Sequence, residues 1–82
     1  MLTPERLKGV LFTVIKSAEI TIEADSGRLV AIVVSDEFAG MEEVDRQAQV
    51  WEHLLKALPP EEVSQVEFVF TSTHEEAKQA RA

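Results

Sequence analysis

The chain has 82 residues, no cysteine, and a formal charge of −7 from 15 acidic and 8 basic side chains. Such a length makes one domain, residues 1–82, with a small two-layered core. The missing thiols exclude disulfides, thiolate catalysis, and cysteine-held zinc or iron–sulfur clusters supplied by this chain alone, and the negative charge disfavours phosphate backbones because the basic residues are scattered.

Thr3-Pro4-Glu5 opens a helix: threonine is a good N-cap, proline suits the first helical position, and the glutamate complements the helix dipole. Leu7, Val10, Leu11, Val14, Ile15 and Ala18 recur at helical spacing and form one apolar face. Gly9 lies within it, about 1 kcal/mol worse than alanine in a helix, and a close packing contact would explain it. Residues 19–24 alternate, with Ile20, Ile22 and Ala24 on one side, which predicts a half-buried strand. Asp25-Ser26-Gly27-Arg28 is a turn signal, and residues 29–35 make a second strand joined to the first as a hairpin. Leu29, Ala31 and Val33 face one way, and Val30, Ile32 and Val34 the other. A strand apolar on both faces is central, or covered on its second face by another element or molecule. Residues 29–34 are also the longest apolar run, far short of the ~20 residues of a membrane span. The N-terminus lacks the basic-then-apolar pattern of a signal peptide, so the expected compartment is cytoplasmic.

Residues 35–41, Ser-Asp-Glu-Phe-Ala-Gly-Met, form a short turn between that strand and a long helix. Residues 41–58 read as the helix, with a stripe of Val44, Ala48, Trp51, Leu55 and Leu58 and with Val50 and Leu54 beside it. Pro59-Pro60 stops it. Residues 63–71 predict a third strand, with Val66, Phe68 and Phe70 on one face and Gln65, Glu67, Val69 and Thr71 on the other. Thr73 and Glu76 have capping-box spacing and start a short C-terminal helix. The order α-β-β-α-β-α predicts an α+β fold. Its three-stranded mixed sheet has strands two and three parallel through a right-handed crossover, and helices packed on one face. The other face is a greasy surface for a partner or a homodimer contact, unless the C-terminal helix covers it.

The central motif is Val34-Ser35-Asp36-x-Phe38-x-Gly40-Met41, followed by Val44, Arg46-Gln47, Val50, Leu54 and Leu58, and later by Thr71, Thr73 and Glu75-Glu76. In these residues and in element order the chain resembles the BolA-like family over nearly all its length, its shorter members most. The resemblance implies a fold like the type II KH domain. It further implies a function, because BolA-like proteins pair with monothiol glutaredoxins and share a two-iron two-sulfur cluster in iron–sulfur trafficking and iron sensing. To that cluster they contribute a histidine at the start of the third strand, and some add a histidine or cysteine from the hairpin loop. The expectation is a non-enzymatic adaptor or regulator that engages a protein partner, a monothiol glutaredoxin by the resemblance, through Phe38, Gly40, Met41, Arg46, Gln65, Phe68 and Phe70. The alternative is a nucleic-acid-binding transcriptional regulator, a role in which some BolA-like proteins have been viewed.

Three departures bear on the cluster. Counting back from Thr73 puts Gln65 at the histidine position, the hairpin loop at residues 25–28 has no histidine or cysteine, and Arg46-Gln47-Ala48 stands where the family often has Arg-His-Arg. A carboxamide is a poor iron ligand. The chain is expected to hold no cofactor by itself, and a shared cluster would require a substitute ligand. His74, in place of the family's proline at the last helix, is the candidate.

The remaining residues read more plainly. His53 is a helix-flank histidine, Trp51 belongs to the core rather than to a base-stacking platform, and Asp36 with Glu37 starts a turn and caps the following helix rather than forming a catalytic pair. Phe38-Ala39-Gly40-Met41 occupies the place of the KH phosphate-gripping loop, but Glu42-Glu43 follow and oppose phosphate. No nucleophile with a base, no acid–base pair and no phosphate-binding glycine loop is visible, so no enzymatic activity is expected.

Overall fold

The computed structural model describes residues 1–81. Helix α1 (Pro4–Val14) begins as its sequence dictates, with the Thr3 hydroxyl accepting the Arg6 amide at 3.2 Å. Leu7, Leu11 and Ile15 are buried, while Val10 and Val14 lie at the margin of the core. Ala18, expected on this helix, belongs to the next strand, because the helix ends at Val14 and Ser17 turns the chain with φ +56°.

Strands β1 (Ala18–Asp25) and β2 (Arg28–Ser35) form the expected hairpin, in register from Ala18 opposite Ser35 to Asp25 opposite Arg28. Ser26 and Gly27 both have positive φ, the two-residue turn whose twist matches the strands. Strand β3 (Val66–Ser72) pairs parallel with β2, which gives the sheet order β1-β2-β3 and makes β2 central.

The third strand departs from simple alternation. Its register moves from Leu29–Val66 to Val30–Phe68, so Glu67 is an extra residue at a bulge. The bulge resets the faces: Val66, Val69 and Thr71 are buried on the helix side, while Phe68 and Phe70 point to the open side. The expected grouping of Val66 with Phe68 and Phe70 is corrected accordingly. The strand also starts later than residue 63, because Pro60–Val63 forms a single helical turn, α3, with Glu62 buried against Arg6 at 2.7 Å.

The long helix, α2 (Glu43–Ala57), starts two residues after the expected point. A 3-10 turn over Asp36–Phe38 precedes it. Its buried face is Arg46, Val50 and Leu54, continued by Leu58. The expected stripe is therefore displaced by about one position, roughly 100° of helix: Val44 is 72% exposed and Leu55 64% exposed. Helices α1 and α2 cover one face of the sheet, over Ile20, Leu29, Ala31, Val33, Val66 and Val69. The last helix, α4 (His74–Arg81), follows β3 with a capping box as expected: the Thr73 hydroxyl accepts the Glu76 amide at 3.1 Å, and Glu76 Oε1 accepts the Thr73 amide at 3.0 Å.

Candidate functional site

Three places hold the residues singled out above. The first is the turn after β2. Ser35 is buried, and its hydroxyl accepts the Glu37 amide at 3.1 Å, which starts the 3-10 turn. The turn drives Phe38 inward until it is only 1% exposed. Gly40 follows with φ +78°, a conformation that side chains rarely adopt, and then Met41, half-buried against the core.

Arg46 reaches back into this turn. Its Nε donates to the Met41 carbonyl at 3.1 Å, its guanidinium lies 5.7 Å from the Phe38 ring centroid, and its two terminal nitrogens donate to Glu76 at 2.7 and 3.1 Å. Phe38 and Arg46, expected at a partner surface, are thus interior residues that fasten α4 to the Gly40 turn. The Arg46 hydrogen bonds, with the Thr73 amide second, hold the Glu76 carboxyl down at about 2, and the same pairing raises the Arg46 guanidinium.

Asp36 takes part in the same fastening. Its carboxylate accepts the backbone amide of His74 at 3.2 Å and lies 3.2 Å from His74 Nδ1. These contacts, the backbone bond foremost, lower its pKa. Asp36 therefore caps α4 from across the fold, not the helix that follows it; α2 begins at Glu42 without a side-chain cap. No sequence spacing signals these links, since the partners lie 30 and 38 residues apart.

The second place is the start of β3, where the resemblance puts an iron ligand. Gln65 lies beside the hairpin turn, its carbonyl accepting the Leu29 amide at 2.8 Å. Its side-chain Oε1 is already used, accepting the Leu2 amide at 2.8 Å. His74 is at the opposite end of β3, on the order of 20 Å away at ~3.3 Å per strand residue. The structure does not bring the two positions together. His74 is exposed, with Nε2 3.8 Å from Glu19 Oε2. Among the described residues, no group of three or more His, Asp or Glu is arranged to hold a metal ion. The residues at the start of β3 thus do not fit an iron–sulfur cluster, because neither Gln65 nor the hairpin turn supplies an imidazole or a thiolate.

The third place is the open face of the sheet. Phe68 and Phe70 are 50% and 53% exposed with ring centroids 4.6 Å apart. They lie beside Val30 and Ile32 of β2, which are half-buried. Helix α4 rests on one end, where Val34 is buried. Trp51, read as core, is partly buried and donates to Gln47 at 3.1 Å; Gln47 in turn donates to the Val69 carbonyl at 2.8 Å, on the outer edge of β3. His53 bridges α2 to α1, within 2.8 Å of the Thr13 hydroxyl.

No family model matches the sequence, and no curated protein matches it. Solved structures do match. A BolA protein homologue from Coxiella burnetii superimposes with a TM-score of 0.73 over 95% of this chain and 99% of its own, at 20% identity. The chain has the BolA fold. BolA1 from Arabidopsis thaliana gives a TM-score of 0.67 at 22% identity, covering 88% of this chain and 92% of that one. A bol-like protein from Babesia bovis gives 0.65 at 18% identity, covering 100% of this chain and 96% of that one. The BolA fold agrees with the α+β order and the mixed sheet expected above. No helix among the described residues is long and apolar enough to cross a membrane.

Proposed function

We propose that this chain is a non-enzymatic adaptor that contributes contact rather than an iron ligand to its complex, with a monothiol glutaredoxin as the partner class. The observation that carries this reading is the aromatic pair Phe68 and Phe70, held half-exposed on the sheet face that the two long helices leave open. Two large apolar side chains in contact with each other and with solvent mark a surface suited to a protein partner. The amide at position 65, with its oxygen engaged by Leu2, supports the second half of the reading. Glu42 and Glu43, exposed after Gly40, oppose phosphate and argue against the nucleic-acid alternative.

The test is to mix the chain with apo and with cluster-loaded monothiol glutaredoxin. Size-exclusion chromatography and visible circular dichroism are then recorded together. Co-elution with an unchanged visible spectrum is expected. A changed cluster spectrum would overturn the contact-only reading, and absence of co-elution with either form would overturn the adaptor reading.

A further inference from the structure

The open sheet face has an ordered layout. Alternation along β1 places Glu19, Thr21 and Glu23 on it, opposite Val34, Ile32 and Val30. Across β2 the same rows continue to Ser72, Phe70 and Phe68. The face therefore runs from an acidic strip on β1, through an aliphatic strip on β2, to an aromatic strip on β3. Glu19 and Glu23 are exposed, and His74 stands at the end of the face where α4 rests, its Nε2 3.8 Å from Glu19 Oε2.

From the geometry of this layout we infer that the face is a docking groove for one amphipathic helix of a protein partner. The apolar stripe of that helix would seat on Val30, Ile32, Phe68 and Phe70, and lysine or arginine on its flank would pair with Glu19 and Glu23. The inference rests on the adaptor reading and specifies the partner chemistry. Three strands at ~4.8 Å spacing give a width of about 10 Å between β1 and β3, the diameter of a single helix. The edge of β3 is a poorer target, because Gln47 already donates to the Val69 carbonyl and shields it from an added strand. A second copy of this chain is disfavoured as occupant. It would bring another acidic strip and another net charge of −7 against the first.

The test uses a fluorescein-labelled synthetic helix of leucines and lysines, about 18 residues or 27 Å long. A second peptide carries glutamate at every lysine. Anisotropy titrations at low and high salt, with amide chemical-shift mapping, measure binding. The basic peptide should bind and shift Val30, Ile32, Phe68 and Phe70, while the acidic peptide should not bind. The double variant Phe68→Thr/Phe70→Thr should lose at least tenfold in affinity. The exposed double reversal Glu19→Lys/Glu23→Lys, which touches no core contact, should switch the preference to the acidic peptide. Equal binding of both peptides, shifts confined to the α1–α2 side, binding of neither peptide, or a dimer that Phe68→Thr/Phe70→Thr abolishes would each overturn the assignment. Glutaredoxin that co-elutes equally with the natural chain and with Phe68→Thr/Phe70→Thr would overturn this surface and leave the adaptor reading standing. Glutaredoxin that co-elutes with neither would overturn both.

Discussion

Replacing Phe38 by alanine separates the core aromatic from the surface pair. Phe38 is 1% exposed and lies beneath the Arg46 guanidinium. A buried phenylalanine removes on the order of 200 Å² from water, worth about 5 kcal/mol at ~25 cal/mol/Å² as an upper bound. Truncations of this kind cost about 3–5 kcal/mol, so we expect about 4 kcal/mol here. An 82-residue domain holds about 4–12 kcal/mol in total, which leaves Phe38→Ala near the edge of unfolding. Phe38→Leu, at about 1–2 kcal/mol, keeps the series measurable. Phe68→Thr and Phe70→Thr lose about half as much area, and the β-branched replacement suits a strand, so each should cost about 1 kcal/mol. Urea unfolding followed by Trp51 fluorescence reads these differences; with a slope of about 1 kcal/mol/M the midpoint moves by about 1 M for either surface variant. Phe38→Ala that unfolds no more easily than Phe70→Thr would refute the placement of Phe38 in the core.

Further predictions concern backbone and charge. Gly9→Ala should stabilise by about 0.5–1 kcal/mol, since a Cβ there meets nothing within 4 Å and alanine is the better helix former. Gly40→Ala should destabilise by about 1–2 kcal/mol, because its φ of +78° and not its surroundings carries the penalty; thermal melts should move in opposite directions. Glu76, held at about 2 in the fold against an ordinary 4.5, contributes stability that is complete above about pH 4.5 and is lost as pH falls toward 2. Asp36, also lowered, adds to the loss in acid. The urea midpoint of Glu76→Gln should therefore lie below that of the natural chain at neutral pH and converge with it in acid. Gln65→His should give cluster-loaded monothiol glutaredoxin a changed visible circular dichroism that the natural chain does not produce, since imidazole suits iron where the amide does not.

Much of the architecture was legible because local signals agreed with it. Thr3-Pro4, the Asp25-Ser26-Gly27-Arg28 turn and the Thr73–Glu76 capping box each did in space what their chemistry suggests. The structure departs from simple periodicity where tertiary contacts override it. One inserted residue at Glu67 reversed the faces of β3 upstream of Phe68, and no residue type at that position announces a bulge. On α2, Arg46 took an inward position that apolar periodicity assigns to aliphatics, because Glu76 and the Met41 carbonyl satisfy it there. Val44 and Leu55, with no comparable neighbour, remained outside. The close contact expected around Gly9 is absent, so that glycine has no packing reason.

The candidate site was legible only in part, for a physical reason. Phe68 and Phe70 were identified as contact residues and stand on the open face. Phe38 and Arg46, which come from the central motif, are buried, because the residues that build the Gly40 turn also lock α4 onto it. A motif that fixes a fold is read most strongly where the fold needs it, which need not be where a partner touches. The same separation governs position 65. The core is assembled from Leu7, Leu11, Val33, Val50, Leu54 and Val69, and Gln65 is not part of it, so position 65 can carry a histidine or an amide without altering the sheet. Likeness of fold at 18–22% identity consequently carries no ligand with it. The open face displays two phenyl rings across the aliphatic strip of β2 from an acidic one, and the start of β3 displays an amide whose oxygen is already engaged.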